Sequence, residues 1–124
     1  MERKKILIVD DDKVILEIAK DVLTREGYSV FISDQSIGTS NMIARIKPHL
    51  IIMDVGMPGL RGDIICKAIK ESNIYKEMKI ILYSVKGQDE LKGLAAESRA
   101  DDFLTKSSNY QELVDKVNSF LKNT

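Results

Sequence analysis

Residues 50–59 read LIIMDVGMPG, and this stretch decides which fold the chain adopts. Four apolar residues run directly into Asp54, and the glycines and the proline that follow favour a sharp turn. A short apolar run bounded by turn-forming residues is typical of a buried strand in a parallel sheet. Asp54 is therefore expected at the carboxyl end of that strand, which is the edge of an open α/β sheet where ligands bind.

Strands and helices alternate along the rest of the chain. The predicted strands cover residues 4–9, 28–32, 49–53, 78–83 and 102–105. The predicted helices cover residues 14–26, 36–46 and 89–97, with one helix opened by residues 61–63 and a last one that begins at Ser108 or Asn109. This alternation, with short connections, predicts a parallel sheet covered by helices on both faces, with right-handed crossovers. We expect one domain over residues 1–124 and no effector domain in this chain.

Composition narrows the class of partner. Lysine plus arginine equals aspartate plus glutamate, 19 each among 124 residues, so the formal net charge is zero. We expect no direct binding to nucleic acid and no binding to anionic membranes, because neither a basic field nor an apolar run of spanning length is present in the sequence. The single cysteine, Cys66, fits a cytoplasmic setting and a place in the core. The single histidine, His49, is expected to be structural.

Four of the five predicted strands end in polar or charged residues: Asp10 to Asp12, Asp54, Ser84, and Thr105 with Lys106. The carboxyl ends of parallel strands lie at one edge, so these side chains converge if the first, third, fourth and fifth strands are neighbours. Converging carboxylates repel each other and raise at least one pKa unless a cation is present, and Mg²⁺ is the natural choice for such oxygen ligands. Lys106 can bind an anion that arrives at Asp54, and Ser84 can donate a hydrogen bond to it. The pattern predicts that Asp54 attacks a phosphoryl group in line and becomes phosphorylated. Asp12 is alternatively expected to cap the following helix.

Along its whole length the chain resembles the receiver domain of bacterial two-component response regulators, of the single-domain, chemotaxis-receiver type. The residues that carry the resemblance are Ile8 to Asp12, Asp54 followed by Met57-Pro58-Gly59, Ser84, Phe103 and Lys106. The resemblance implies a flavodoxin-like (βα)5 fold, in which a doubly wound sheet of five parallel strands has the order 2-1-3-4-5.

The resemblance also assigns roles. It implies that Asp54 is the phosphoacceptor, that Asp11 binds Mg²⁺ directly, that Asp10 acts mainly through water, and that Gly56 offers its backbone carbonyl to the metal. Lys106 and Ser84 then hold the phosphate oxygens, and Ser84 and Phe103 form the switch.

The implied partners are proteins. The phosphoryl donor is a sensor histidine kinase or a histidine phosphotransfer protein, and a downstream protein binds the face formed by the fourth helix, fifth strand and fifth helix. The module assists its own phosphorylation and dephosphorylation and is not expected to be an enzyme that turns over an outside substrate.

Four positions depart from the family pattern. Val85 stands where a small residue is usual, and its branched side chain is expected to slow water attack and prolong the phosphoryl state. Ser107 replaces a proline that is joined by a cis bond, so we expect a trans bond or a rearranged loop. Arg99 replaces a glycine, which suggests a different turn. Phe103 has no hydroxyl, so only movement of its ring is available to the switch.

Two other functions remain open on the sequence. One is a pseudo-receiver, a protein-interaction domain that keeps the fold with weak or no phosphorylation. The departures from the family pattern at Val85 and Ser107 are compatible with this alternative. The other, less favoured, is a small phosphatase with an aspartate nucleophile, because Asp10 and Asp12 have the Asp-x-Asp spacing of such enzymes. Nucleotide binders of the Rossmann or P-loop type are disfavoured, since no matching glycine-rich motif follows the first strand.

Overall fold

Five strands and five helices alternate in the computed structural model, which describes residues 2–35, 38–59 and 61–122. The strands are β1 (Lys5–Val9), β2 (Ser29–Ser33), β3 (Leu50–Asp54), β4 (Lys79–Ser84) and β5 (Asp102–Thr105). The helices are α1 (Lys13–Arg25), α2 (Thr39–Ile46), α3 (Gly62–Glu71), α4 (Gln88–Ser98) and α5 (Tyr110–Leu121). The predicted start of the second helix, at residues 36 and 37, lies outside the described residues.

All strand pairs are parallel, and the sheet has the order β2-β1-β3-β4-β5. The chain therefore has the flavodoxin-like fold that its sequence predicts. Alternate residues of each strand point to opposite faces, which gives the protein two separate apolar layers. One layer packs α1 and α5 against residues such as Ile8, Ile52 and Ile81. The other packs α2, α3 and α4 against residues such as Val9, Met53 and Leu82.

Polar side chains cap the N-termini of α1 and α5. The Asp12 carboxylate accepts hydrogen bonds from the backbone N–H groups of Val14 and Ile15, at 3.0 and 3.3 Å, and so caps α1. The Asn109 side chain accepts from the N–H of Glu112 and caps α5. Both contacts satisfy helix N–H groups that lack partners within the helix. None of the described helices has the length and apolar character that crossing a membrane requires.

Cys66 is a core residue, as its sequence context predicts. Its side chain is fully buried, and its thiol lies 3.6 Å from the Ser98 carbonyl oxygen, to which it donates. Burial raises the pKa of this thiol. A thiol that is buried and protonated is a poor nucleophile, so the residue acts through packing.

Arg99 ends α4 in a left-handed conformation, with φ of 63°. Arg99 thus adopts the conformation that glycine favours, and the expectation of a different turn stays a prediction. Its side chain gains little in return, since the guanidinium lies 4.0 Å from an exposed Glu71 carboxylate.

We expect Arg99→Gly to raise the free energy of unfolding by about 0.5–1 kcal/mol, because it relieves left-handed strain that exceeds the entropic cost of glycine. Urea denaturation measures the change. Gly27→Ala is the converse control, since Gly27 ends α1 with φ of 100° and alanine there is expected to destabilise the protein. Equal or lower stability of Arg99→Gly contradicts the prediction.

His49 joins two strands at the amino edge of the sheet. Its Nδ1 accepts a hydrogen bond from the Lys5 backbone N–H at 2.9 Å, which requires that nitrogen to be unprotonated. Its own backbone N–H donates to Lys5, and its carbonyl accepts from Lys79. The residue therefore has the structural role that the sequence suggests.

Protonation of His49 is expected to destabilise the fold at mildly acidic pH. Partial desolvation of the ring, followed by the charges of Lys4 and Lys5, lowers the pKa of His49 below its ordinary value of 6.5, although the residue is exposed. The unfolded chain then binds a proton more readily than the native state, so stability is lost as the pH falls below about 6.5. His49→Gln should flatten the dependence of the unfolding free energy on pH between 6.5 and 5.5, because the chain has no other histidine. An unchanged slope contradicts this assignment.

Candidate functional site

Alternation along the strands brings the site residues to one face. Asp10 lies two residues beyond Ile8, and Asp54 two residues beyond Ile52, both of which point into the layer of α1 and α5. Lys106 has the same relation to Leu104 of β5. Because β1, β3, β4 and β5 are consecutive in the sheet, these three side chains meet at its carboxyl edge.

The Lys106 ammonium lies between two buried carboxylates. Its Nζ is 2.8 Å from Asp10 Oδ2 and 3.4 Å from Asp54 Oδ2. The side chains of Lys106, Asp10 and Asp54 are 9%, 1% and 7% exposed. Little water reaches these charges, so each interacts strongly with the others.

Asp10 has one oxygen that is well bonded and one that is not. Its Oδ1 accepts from the Asp12 N–H at 2.9 Å. Its Oδ2 is buried and, apart from the ion pair with Lys106, has no hydrogen-bond donor among the described residues. Burial raises the pKa of Asp10, and the Lys106 ammonium and the Asp12 N–H only partly oppose this effect. A second cation near Asp10, in addition to the Lys106 ammonium, would stabilise the ionised form of the Asp10 carboxylate.

The acidic residues also suit a metal. One carboxylate oxygen each from Asp10, Asp11 and Asp54 lies within 4.8 Å of the others. Asp11 is exposed, which leaves an opening to solvent. A set of hard oxygen ligands with one under-bonded buried oxygen and access to water fits Mg²⁺, which keeps several of its waters when bound.

Gly56 fixes the phosphoacceptor candidate through its backbone. Its N–H donates to Asp54 Oδ1 at 3.1 Å, which holds the carboxylate in one orientation. The family resemblance implies that the carbonyl of this residue binds the metal, and that role stays a prediction.

Backbone hydrogen bonds fix the segment around Lys106. Its N–H donates to the Ser84 carbonyl at 2.7 Å, and a turn follows in which the Ser108 N–H donates to the Thr105 carbonyl at 3.1 Å. The Lys106–Ser107 peptide bond is trans, as expected for a residue other than proline. Although burial opposes the charged form, the carboxylates of Asp10 and Asp54 raise the pKa of Lys106, so the ammonium persists.

Ser84 and Phe103 lie on the other face of the sheet from the acids. Ser84 is buried at the end of β4, where its hydroxyl accepts from the Lys86 N–H at 3.1 Å. Phe103 is half-buried against the layer of α2, α3 and α4 and pairs with Leu82. Val85 is 84% exposed. The prediction that it prolongs the phosphoryl state remains a prediction.

Gly62 is a site residue that the sequence analysis missed. A Cβ atom at this position would lie 2.2 Å from the Asp54 carbonyl oxygen and 2.7 Å from Met53 Cγ. The first turn of α3 therefore packs directly on the backbone of the phosphoacceptor candidate. The only signal in the sequence is a glycine where a helix begins, which by itself is ambiguous.

Comparison with known proteins identifies the family. The model of the response regulator receiver domain matches residues 6–118. This chain belongs to the response regulator receiver family. The receiver domain also superimposes on solved structures along nearly its whole length. A chain assigned as a response regulator of Chloroflexus aurantiacus is 30% identical with a TM-score of 0.90, and the alignment covers 98% of this chain and 100% of that one.

Two further structures are similar to this receiver domain. The chemotaxis protein CheY4 of Vibrio cholerae is 25% identical with a TM-score of 0.87, covering 97% of this chain and 100% of that chain. A CheY-like receiver domain protein of Methanospirillum hungatei is 27% identical with a TM-score of 0.87, covering 98% and 95%.

Family membership implies phosphorylation-based signalling in two-component systems, with histidine kinases or phosphotransfer proteins and downstream proteins as partners. Receiver domains are signalling modules and not enzymes in the usual sense. Mg²⁺ binds at the acidic pocket of such domains, which in this chain corresponds to Asp10, Asp11 and Asp54. The phosphatase alternative is not favoured, and Asp12, the second acid of its Asp-x-Asp spacing, is engaged in capping α1.

Proposed function

We propose that this receiver domain accepts a phosphoryl group on Asp54 in an Mg²⁺-dependent reaction and thereby changes its affinity for a protein partner. The proposed donor is a phosphohistidine of a sensor kinase or a phosphotransfer protein. The observation that carries the proposal is the position of Lys106, whose ammonium lies within 3.4 Å of Asp54 while three carboxylates converge on the same point. An ammonium beside a nucleophilic carboxylate suits a group that arrives as an anion.

The proposed chemistry is an in-line displacement. A carboxylate oxygen of Asp54 attacks phosphorus and forms an acyl phosphate, while the bond from phosphorus to the donor nitrogen breaks and the imidazole keeps the electron pair. Lys106 and Ser84 hold the oxygens of the transferred group, and the Gly56 N–H orients the attacking carboxylate. Asp11, Asp54 and the Gly56 carbonyl would hold Mg²⁺, with Asp10 acting mainly through water, and the ion would supply positive charge that offsets the phosphoryl charge.

The proposed output uses the face formed by α4, β5 and α5. Ser84 and Phe103 share one face of the sheet, and a cavity of about 200 Å³ borders Phe103, Thr105 and Lys116 between these elements. When Ser84 turns toward the phosphoryl group, this cavity gives the Phe103 ring room to change position. The change in packing then alters the surface that a downstream protein meets.

Intact mass spectrometry with acetyl phosphate as donor tests the acceptor. With Mg²⁺, the wild type is expected to gain the mass of one phosphoryl group as acetate leaves, and Asp54→Asn is expected to gain none, because an amide cannot form the acyl phosphate. Chelation of Mg²⁺ is expected to reduce the modified fraction of wild type at least ten-fold, since the charge of the transferring group then lacks its main counterion.

Asp115→Asn is the matched control, because Asp115 is an exposed carboxylate on α5 that does not belong to the acidic cluster. It should be phosphorylated at the wild-type rate. If Asp54→Asn takes up phosphoryl as fast as the wild type, another residue is the acceptor and the proposal is overturned. If the wild type takes up none, the chain is a pseudo-receiver and the proposal is overturned as well.

A further inference from the structure

A tyrosine of β4 is the direct neighbour of the phosphoacceptor on the adjacent strand. Tyr83 pairs with Asp54 of β3 on one side and with Leu104 of β5 on the other. Its side chain is 2% exposed and belongs to the layer of α1 and α5, which is the face that also carries Asp54 and Lys106. Its place between β3 and β5 puts a buried aromatic ring beside the space that the Lys106 side chain crosses.

The ring contacts the ammonium directly. Lys106 Nζ lies 5.8 Å from the centroid of the Tyr83 ring, within the distance at which a cation is attracted to an aromatic face. The Lys106 side chain is 9% exposed, so water screens this attraction little. The ammonium therefore has three partners: the carboxylates of Asp10 and Asp54, and the ring.

The hydroxyl of Tyr83 does not act as a charged partner. Burial raises the pKa of Tyr83 to about 12, and the neighbouring acidic groups of Tyr110, Asp10 and Asp12 contribute in the same direction. The phenol is therefore neutral at physiological pH. What it offers to Lys106 is the electron-rich face of its ring, a property that phenylalanine shares and leucine lacks.

We propose that Tyr83 is a positioning residue whose ring holds the Lys106 ammonium between Asp10 and Asp54, where it can receive the incoming phosphoryl group. Without the ring, the shorter contact with Asp10, at 2.8 Å, dominates over the 3.4 Å contact with Asp54. The ammonium then spends less time beside the phosphoacceptor. This inference rests on the proposed function, because it explains how one of its residues is placed.

The phosphorylation rate of two Tyr83 variants tests the inference. Tyr83→Leu is expected to slow phosphorylation by acetyl phosphate about five- to ten-fold, which lies between the loss of an exposed and the loss of a fully desolvated cation–π contact. Tyr83→Phe is expected to keep the wild-type rate. The affinity for Mg²⁺ alone, measured from amide chemical shifts, should be unchanged in both. Equal slowing in the two variants, or no slowing in either, overturns the inference.

Tyr28 provides a matched control for the loss of a buried tyrosine. Its ring is 3% exposed and lies 5.7 Å from Lys122 Nζ, so the cation–π distance is nearly the same, although the Lys122 side chain is 47% exposed. The ring packs at the opposite end of the α1 and α5 layer. Tyr28→Leu should lower stability and leave the phosphorylation rate unchanged.

The Lys106→Met background isolates the contact between Lys106 and the Tyr83 ring, because Tyr83→Leu should slow phosphorylation no further in that background. Additional slowing of the same size in that background contradicts the inference.

A measurement without phosphodonor separates this inference from the proposed function. ¹³C relaxation at Lys106 Cε should report greater motion of this side chain in Tyr83→Leu than in wild type or Tyr83→Phe. If the wild type fails to accept phosphoryl while this difference is present, the proposed function fails and the positioning role holds. If phosphorylation occurs but Lys106 motion is the same in all three proteins, the positioning role fails alone.

Discussion

Gly62→Ala is expected to lower the free energy of unfolding by about 3 kcal/mol, at the upper end of what overpacking costs. The added methyl would lie 2.2 Å from the Asp54 carbonyl oxygen, and backbone cannot rotate away as a flexible side chain can. Either α3 moves outward from β3 or Asp54 is displaced. Urea denaturation followed by circular dichroism measures the loss of stability, and the rate of phosphorylation should fall as well because the phosphoacceptor shifts.

Gly93→Ala is the matched control for this substitution. Gly93 lies in the middle of α4, is exposed, and has nothing within 4 Å of the position that a Cβ would occupy. Alanine there should raise stability by about 0.5–1 kcal/mol, because glycine is a poor helix former. The same chemical change is thus expected to have opposite signs at the two sites. A Gly62→Ala protein as stable as the wild type would show that α3 tolerates movement away from β3.

Lys106→Met is expected to lower the free energy of unfolding by about 3 kcal/mol in the absence of Mg²⁺, because removing one partner of a buried ion pair leaves a charge without compensation. The methionine fills a similar volume, so the effect reports charge and not a cavity. Asp10 loses its main cation and faces Asp54 across a site that excludes most water. Urea denaturation at several pH values, with and without MgCl₂, measures the effect.

The dependence of this loss on pH has a definite sign. The pKa of Asp10 is already raised by burial, and removing Lys106 raises it further. A carboxyl whose native pKa exceeds its unfolded pKa binds more protons in the native state, so the native state gains stability as the pH falls. The deficit of Lys106→Met relative to wild type should therefore shrink between neutral pH and pH 5. Mg²⁺ should also reduce it by binding the native acidic cluster.

Asp10→Asn in the Lys106→Met background is the control, since it removes the uncompensated charge. The double variant should recover much of the lost stability at neutral pH. Its remaining stability deficit relative to wild type should no longer shrink as the pH falls to 5. If the double variant is no more stable than Lys106→Met, loss of packing and not loss of charge compensation accounts for the effect.

Much of the site could be predicted because its chemistry lies at strand ends. Asp10, Asp54 and Lys106 each follow an apolar run, and parallel strands bring such ends to one edge of a sheet. The capping role of Asp12 and the structural role of His49 were also readable, since both depend on local position. The left-handed conformation of Arg99 could not be predicted. Packing around such a residue, and not its own preference, decides whether a residue other than glycine tolerates left-handed φ.

The sequence by itself determined the fold, the order of the elements and the residues that meet at the carboxyl edge of the sheet, since periodicity and turn residues act locally. Only the tertiary structure revealed what surrounds those residues. The contact of Gly62 with the Asp54 backbone, the Tyr83 ring beside Lys106 and the under-bonded oxygen of Asp10 each involve elements that are distant in the chain. Distances of this kind depend on how helices and strands pack together, which no local pattern of residues specifies.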